Sequence, residues 1–419
     1  MPAFESALAL MTVLVTAPLP VPGGVLSASA SSLRLAHGAF EVDDRGAVET
    51  ASVPSAPPPH GGAGDASSVE ATTALEAAPL LVEPRQPPLI IGGVEVQPGE
   101  RREIFLRSSE SFSSGDVDVP LVVVRGVREG PVLCLMAGIH GDELNGIEIV
   151  RESLDRAPPP EELRGTLIGV PIANLFGFWN QSRYLPDRRD LNRHFPGRPG
   201  GSSAARIAHR IWNDIVKSCT HLIDFHTGSL HRSNLAQVRG DLRRPEVLRF
   251  AHAFGADTVV HNPGQRGTLR TQAVEQGIPT ILYEAGETLR FQRAVIESGV
   301  KGVENIMVHL GLKSGEPKVA ATPNVFLETH WVRSPQGGIL ELYPKLGDWV
   351  EKGDTIGVIT DPLRKEKGVV KSPWSGQVIG LVLAPMVIPG IAVAHIGLPH
   401  GRMDKSEAAQ EELDADRPE

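Results

Sequence analysis

The feature that most constrains the fold of this chain is an unbroken apolar run, PVLCLMAG, at residues 131–138. Because successive side chains of a strand point to opposite faces, a run that is apolar throughout has to be covered on both faces. Such strands are typical of the interior of a mainly parallel sheet. A helical pattern follows from about Asp142 to Leu154 and is ended by PPP, and the next apolar run is GTLIGVPIAN.

The same alternation of strand and helix patterns continues to about residue 310. Further strands are predicted for HLIDFH, TVVHNP and PTILYEAG. Further helices are predicted for residues 202–217 and for PEVLRFAHAFG, LRTQAVEQG and FQRAVIESGVKGVENIMVHLG. This order predicts an α/β fold, with a mixed, mainly parallel sheet that carries helices on both faces.

After about Pro317 the pattern changes to short β runs separated by Gly, Pro and Asp. A weak repeat, VRSPQGGILE at 332–341 and VKSPWSGQVIG at 370–380, predicts a small, quasi-symmetric all-β module. It resembles the flattened barrel, or barrel-sandwich, of biotinyl and lipoyl domains. Those domains modify a Lys flanked by Met, whereas TDPLRKEKG has no Met. We therefore expect Lys365 and Lys367 to be solvated turn charges.

The domain organisation follows from these changes in pattern. Residues 1–85 are rich in Ala, Ser, Pro and Gly and are expected to be a disordered extension. Residues 86–316 form the predicted α/β catalytic domain, 317–400 the β module and 401–419 a charged tail. An apolar stretch at 7–21 resembles part of a secretory signal, but no Lys or Arg precedes it. We expect a cytoplasmic protein, with secretion left open by this stretch.

Composition excludes several classes of partner and site. The chain of 419 residues has a formal net charge of −9, which argues against nucleic acid and anionic membranes as partners. It has only two cysteines, Cys134 and Cys219, and both lie in or beside apolar runs. We expect two core residues here, with no disulfide framework and no cysteine-based zinc site.

The stretch GIHGDELNG places His140 and Glu143 three positions apart, directly after the first buried strand. Imidazole nitrogen and carboxylate oxygen are both zinc ligands. Gly138 and Gly141 would allow a tight turn that directs both side chains inward. The alternative is an ordinary turn into a helix, in which an acidic residue favours the helix N-terminus.

A second stretch, HLIDFHTGS, supplies a candidate third ligand, His226, at the end of another strand. Asp224 lies two residues earlier and shares its strand face. It could orient a ligating histidine, as carboxylates commonly do. Without the first stretch, the simpler interpretation of His226 is a histidine bonded to the backbone.

A third stretch, NQSRYLPDRRDLNRHFPG, is rich in arginine. Guanidinium groups bind carboxylates through two hydrogen bonds and can stabilise an oxyanion. The alternative is an exposed basic loop, which we expect for Arg188 and Arg189. The fourth stretch, PTILYEAGE, ends an apolar strand with Glu284, where a carboxylate is costly unless it is used or paired. Glu287, in the loop beyond it, is expected to be a solvated charge.

Together, GIHGDE, DLNRHFPG, DFHTGS and YEAG resemble the succinylglutamate desuccinylase/aspartoacylase family, which is related to the zinc carboxypeptidases. The resemblance covers residues 88–398, including the small C-terminal β module. It implies a zinc carboxypeptidase-like fold and one Zn²⁺ per chain. The implied metal ligands are His140 and Glu143 of the first motif and His226 of the third.

The resemblance also implies roles for the remaining motif residues. Arg183 matches the arginine that stabilises the oxyanion, and Glu284 matches the general acid/base. Asn192 and Arg193 match the pair that holds the substrate carboxylate. Arg270 of GTLRTQ is the nearest match to a further substrate-binding arginine, although its spacing from Glu284 is longer than in aspartoacylases.

The implied activity is zinc-dependent hydrolysis of a linear amide in a small N-acyl amino acid, with Glu284 activating water beside the metal. Two alternatives stay open, a metallocarboxypeptidase that cleaves short peptides and a non-catalytic binding protein on the same fold. The acyl group and the amine are not specified by these motifs. A homo-oligomer is compatible with the sequence.

Overall fold

A computed structural model of the chain describes residues 88–110, 116–319 and 322–399. The extension predicted at 1–85, its signal-like stretch and the tail predicted at 401–419 lie outside these ranges. No helix within them is long and apolar enough to cross a membrane.

The α/β part contains ten strands and six α-helices in the described ranges. The strands are β1 (Leu89–Ile91), β2 (Val94–Val96), β3 (Arg101–Glu110), β4 (Asp116–Arg125), β5 (Arg128–Met136), β6 (Arg164–Val170), β7 (His221–Gly228), β8 (Arg232–Gly240), β9 (Thr258–His261) and β10 (Thr280–Glu287). The helices are α1 (Leu144–Asp155), α2 (Leu175–Trp179), α3 (Ser203–Asp214), α4 (Pro245–Phe254), α5 (Leu269–Glu275) and α6 (Arg293–His309). Two short 3₁₀ turns cover Leu191–Arg193 and Val216–Ser218.

The central sheet is mixed and has a parallel interior, which confirms the predicted fold class. Strand β5 lies between β6 and β7 and is parallel to both, and β10 is parallel to β7. Strands β4 and β3 continue one side in antiparallel fashion, and β8 is antiparallel to β10 on the other side.

Helices cover both faces of this sheet, so strand β5 is buried on both sides. Leu133 and Leu135 pack in one apolar cluster, with residues of α1, α4 and α6. Cys134 and Met136 pack in a second cluster on the opposite face, with residues of α3 and α5. This division is the physical basis of the unbroken apolar run.

Local signals account for the ends of individual helices. Helix α4 begins with a proline at its first position and is followed by its C-cap, Gly255, which has a φ of 81° that favours glycine. Ser202 caps α3 by accepting a hydrogen bond from the amide of Ala205. This helix ends at Asp214, earlier than the predicted 217, because Ile215 leaves the helical conformation.

Two elements were missed by the sequence prediction, strand β8 and the short helix α2. Strand β8, RSNLAQVRG, lacks a continuous apolar run because five of its nine residues are polar. Two of these polar residues, Asn234 and Arg239, contact Glu284 of β10, as described below.

The C-terminal part consists of nine short strands in the described residues. They are β11 (Asn324–Phe326), β12 (Glu328–Arg333), β13 (Gly338–Leu342), β14 (Trp349–Val350), β15 (Thr355–Thr360), β16 (Glu366–Lys371), β17 (Gly376–Val382), β18 (Met386–Val387) and β19 (Ala392–Leu398). Strands β16, β15, β13 and β18 form a separate sheet, while β17, β19 and β12 extend the central sheet beyond β8. Lys365 is exposed in the turn between β15 and β16, as expected. Lys367 is also exposed, but it lies on β16 and not in the turn, and its Nζ donates to the carbonyl of Gly337 at 2.6 Å.

The direct pairing of β17 with β8 joins the two predicted domains in one sheet. Gly380, Leu381 and Val382 pair with Asn234, Ser233 and Arg232. The domain boundary at residue 317 stays a prediction. Backbone hydrogen bonds between β17 and β8 connect the parts of the chain on either side of it.

The expectation of two unlinked core cysteines was wrong in one respect. Both are buried in the same apolar cluster, but Cys134 and Cys219 form a disulfide with their Cα atoms 5.8 Å apart. Cys134 is the register neighbour of Leu222, and Cys219 lies just before that strand. The pairing depends on β5 and β7 being adjacent, which the local sequence does not specify.

We expect this bridge to contribute strongly to stability. Its cysteines are 85 residues apart, so the Cys134→Ala/Cys219→Ala double variant should lose about 4 kcal/mol of unfolding free energy through the entropy of the unfolded chain. Urea unfolding of the oxidised protein and of the double variant measures the difference. Detection of two free thiols in unreduced, urea-unfolded protein would contradict the bridge.

Candidate metal centre and active site

The strand-end turn after β5 positions the first two predicted ligands. Gly138 has a φ of 62°, which favours glycine. Gly141 is needed for a different reason, because a Cβ there would lie 1.9 Å from the carbonyl carbon of Gly177. The chain then enters helix α1 with His140 and Glu143 both buried and facing inward.

The structure brings His140, Glu143 and His226 together into one buried cluster. The Nδ1 of His140 lies 2.8 Å from Glu143 Oε1, and the Nδ1 of His226 lies 2.8 Å from Glu143 Oε2. The two Nδ1 atoms are 3.1 Å apart. The amide of Thr227 also donates to Glu143 Oε2, at 3.0 Å, and helps to hold the carboxylate.

The outer nitrogen of each histidine faces a carboxylate. His140 Nε2 lies 3.1 Å from Asp190 Oδ1, and His226 Nε2 lies 3.0 Å from Asp224 Oδ2. Carboxylates at this position favour a proton on Nε2 and leave the lone pair of Nδ1 directed at the centre. Asp224 has the position that the sequence predicted, whereas no role was predicted for Asp190.

This donor set fits a divalent metal ion. Two imidazole nitrogens and one carboxylate, each held by further hydrogen bonds, are ligands typical of catalytic zinc sites. Burial alone would raise the pKa of Glu143, but the two histidine rings outweigh burial and hold that pKa well below its ordinary value. The carboxylate is therefore ionised and available as a ligand.

Arg183 lies at the edge of the cluster. Its Nη2 donates to Asp190 Oδ2 at 2.8 Å, and its Nη1 lies 3.3 Å from Glu143 Oε1. Asp190 thus contacts both His140 and Arg183 and fixes the guanidinium beside the metal ligands. Arg188 and Arg189, in contrast, are exposed, in agreement with the prediction.

Glu284 lies on β10, next to the third ligand, because it is the register partner of His226 on β7. The Nδ2 of Asn234 donates to Glu284 Oε1 at 2.9 Å, and Arg239 Nη1 lies 3.4 Å from Oε2. Both partners come from strand β8. The expectation for Glu287 was wrong, because it is the last residue of β10 and not part of the loop, and only 15% of its side chain is exposed. Its carboxylate accepts a hydrogen bond from Arg290.

Asn192 and Arg193 lie in a 3₁₀ turn beside the cluster. Asn192 Oδ1 accepts a hydrogen bond from the amide of Leu269, at the start of α5, and its Nδ2 lies 3.4 Å from His226 Nε2. Arg193 donates to the carbonyl of Asn192 and keeps 44% of its side chain exposed. The amide of Asn192 is therefore used in contacts within the protein, whereas nearly half of the Arg193 side chain is accessible.

Arg270, on helix α5, is only 6% exposed. Its Nη2 donates to Asn262 Oδ1 at 3.0 Å, but its Nε and Nη1 donate to no residue that the structure describes. Burial, together with the nearby guanidinium of Arg239, lowers the pKa of Arg270 to about 10. The group is still charged at neutral pH, and two buried donors are available for an anion.

Three residues of the site were missed by sequence reasoning, Asp190, Asn234 and Arg239. Asp190 lies in a stretch rich in arginine, where an aspartate is most simply interpreted as one half of a surface ion pair. Asn234 and Arg239 lie on β8, the strand that the sequence did not reveal. The unusual density of polar residues in this strand, between two turns, was the only signal in the sequence that could have pointed to them.

Comparison with known proteins gives a consistent result. The sequence model of the succinylglutamate desuccinylase/aspartoacylase catalytic domain matches residues 129–310. The N-alpha-acetyl-L-2,4-diaminobutyric acid deacetylase of Halomonas elongata is 30% identical over 294 residues, covering 66% of this chain and 83% of the relative.

Solved structures with the same fold include two at 26% identity and a TM-score of 0.66. One is the product-bound ectoine utilization protein EutE (DoeB) from Ruegeria pomeroyi, with 71% of this chain and 95% of that chain covered. The other is a succinylglutamate desuccinylase/aspartoacylase from Rhodobacter sphaeroides, with 72% and 96% covered.

Proposed function

This chain belongs to the succinylglutamate desuccinylase/aspartoacylase family, and on that premise we propose that it hydrolyses the amide bond of a small N-acyl amino acid. The observation that carries the proposal is the buried His140–Glu143–His226 cluster with Glu284 on the adjacent strand. Hydrolysis adds water across the amide, so the products are a carboxylate and a free amine. The Halomonas relative, by its name, removes an acetyl group from such a compound.

We propose that the cluster holds one Zn²⁺ through His140, Glu143 and His226. When bound, such an ion polarises the acyl carbonyl and lowers the pKa of water. Asp190 and Asp224 keep the two imidazoles oriented for binding. A nearby guanidinium, Arg183, provides positive charge at the edge of the cluster, where it would stabilise the oxyanion formed from the acyl carbonyl.

Glu284 is the proposed general acid/base. Its carboxylate would accept a proton from the attacking water and later deliver that proton to the nitrogen of the leaving amine. A hydrogen bond from Asn234 and an ion pair with Arg239 hold its two oxygens. A positioned carboxylate is suited to proton transfer because little reorganisation is needed during the reaction.

The carboxylate of the substrate is assigned to Arg270 and Arg193, with Asn192 holding the turn beside them. Arg270 offers two buried donors without another partner in the described chain. Guanidinium groups bind carboxylates through paired hydrogen bonds, which gives orientation as well as affinity.

We expect Arg270→Met to lower kcat/KM by about 10- to 100-fold, since a hydrogen bond to a charged group contributes about 1.5–3 kcal/mol. Arg270→Lys should recover only part of this loss because an ammonium cannot form the paired contact. The melting temperature should hold or rise, since a buried charge next to Arg239 is removed. Steady-state kinetics and thermal melting test this, with the exposed Arg249→Met as control. Unchanged kcat/KM in Arg270→Met would remove this residue from the binding site.

The function is tested by measuring metal content and amide hydrolysis together. The purified chain is assayed for zinc and then offered N-acetyl, N-formyl and N-succinyl amino acids, with dipeptides for comparison, with and without a chelator. One zinc per chain and chelator-sensitive release of a free amine support the proposal. Cleavage of dipeptides alone would favour a carboxypeptidase. Absence of stoichiometric zinc and of any hydrolysis would favour a binding protein.

A further inference from the structure

Strand β8 places a hydrogen-bond donor at one oxygen of the Glu284 carboxylate and a guanidinium group beside the other. The buried Asn234 donates through Nδ2 to Oε1 at 2.9 Å, and Arg239 Nη1 lies 3.4 Å from Oε2. A carboxylate with a hydrogen bond at one oxygen and an ion pair at the other has little freedom to rotate about its terminal bonds. The two contacts therefore determine where the proton acceptor of Glu284 lies.

The neighbouring strand β17, from the C-terminal part, braces both of these side chains. Arg239 Nε donates to Gln237 Oε1 at 3.2 Å, and the Nε2 of Gln237 donates to the carbonyl of Ile379 at 3.1 Å. Gly380 is the register partner of Asn234, and a Cβ at Gly380 would lie only 2.8 Å from Asn234 Oδ1. Glu284 is thus connected to the backbone of β17 in two ways. One connection passes through Asn234 to Gly380, and the other through Arg239 and Gln237 to Ile379.

From this geometry we propose that Asn234 and Arg239 are positioning residues for Glu284, and that β17 keeps them in place through Ile379 and Gly380. The role of Glu284 in proton transfer rests on the proposed function, but the positioning itself does not. The C-terminal strands then contribute to the reaction by completing the support of the general base. A displacement of about 1 Å in a reacting group can lower turnover about 100-fold.

The first test compares kinetics of zinc-loaded variants on β8. Asn234→Ala should lower kcat roughly 10- to 100-fold while KM stays within about threefold, because substrate contacts are unchanged. Arg239→Lys retains a charged donor and should lose less kcat than Arg239→Met. Zinc content and melting temperature should hold in each variant. A kcat of Asn234→Ala close to wild type, or a loss that appears only in KM, would overturn the proposal.

The second test uses a matched pair of glycine variants in the C-terminal part, Gly380 on β17 and Gly337 just before β13. Gly380→Ala places a methyl group against Asn234 and should lower kcat in the same way as Asn234→Ala, to a smaller extent. Gly337→Ala adds the same methyl group where the nearest atoms are 3.5 Å away and should leave kcat unchanged. Equal kinetics for the two variants would show that β17 does not support Glu284.

A third test requires no substrate. In a crystal structure of Asn234→Ala, the Glu284 carboxylate should move by about 1 Å or more from its wild-type position, since its hydrogen bond from β8 is gone and only the ion pair with Arg239 remains. A carboxylate that has not moved would overturn the proposal. If the wild-type chain hydrolysed no amide while this displacement was found, the proposed reaction would fail and the positioning role would stand.

Discussion

Replacement of Glu284 by Gln is expected to reduce kcat by about 10³-fold, within the range of 10²–10⁴ that general acid–base catalysis contributes. Glutamine has nearly the same shape and can still accept the hydrogen bond from Asn234 at its carbonyl oxygen. It cannot take a proton from water at neutral pH. Substrate affinity should change little, because the carboxylate contacts of Arg270 and Arg193 are untouched. Steady-state kinetics with a measured zinc content checks this result.

The matched control is Glu287→Gln, on the same strand. Glu287 pairs with the exposed Arg290, so its replacement removes a carboxylate without touching the cluster. Its kcat should stay within about twofold of wild type, because the pair with Arg290 is partly exposed, contributes little energy and lies outside the cluster. Near wild-type turnover in zinc-bound Glu284→Gln would show that the proton acceptor is another group.

Removal of a metal ligand is expected to have an even larger effect. In His226→Ala the site loses one of three donors, and the affinity for zinc and the activity should fall together. A Lewis-acidic metal contributes several kcal/mol to the transition state, which corresponds to a loss of roughly 10³-fold or more. Zinc per chain, measured by mass spectrometry after dialysis, and kcat/KM with added zinc quantify the two effects.

A graded series separates ligands from the groups that orient them. Asp224→Asn keeps all three ligands but weakens the contact with His226 Nε2, and a loss of about 10- to 100-fold in metal affinity is expected. His252→Ala removes an exposed histidine on α4 and should change neither quantity. Full zinc occupancy in dialysed His226→Ala would contradict the assigned ligand set.

Asp190 contacts both a predicted metal ligand and the predicted oxyanion-stabilising arginine, two residues for which the sequence analysis gave separate roles. Its carboxylate contacts His140 Nε2 with one oxygen and Arg183 Nη2 with the other. The same residue therefore orients a metal ligand and fixes the proposed oxyanion-stabilising arginine. Burial alone would raise the pKa of Asp190, but the contacts with His140 and Arg183 hold it well below its ordinary value.

Much of the fold and the central cluster could be predicted because the relevant signals are local. The apolar run of β5 requires cover on both faces, and its residues do divide between two cores. The glycines of the following turn and the spacing of His140 and Glu143 lie within ten residues. His226 and Glu284 both end apolar strands, and parallel strands bring such ends to one edge of the sheet.

The remaining features depend on which strands are neighbours, and that is a property of the tertiary structure. Asn234 contacts Glu284 across 50 residues because β8 returns antiparallel to β10. The disulfide forms because β5 and β7 are adjacent. Strand β17 pairs with β8, although β9, β10 and six of the C-terminal strands lie between β8 and β17 along the chain.

By itself, therefore, the sequence determined the α/β class, the strand-end positions of the predicted ligands and the identity of the proposed acid/base, because burial, turn geometry and spacing act over a few residues. Only the tertiary structure decided that Asp190 serves both His140 and Arg183, and that β8 and β17 support Glu284. The physical reason is that a polar side chain is satisfied by whichever partner the packed sheet places beside it. That partner can come from any distance along the chain.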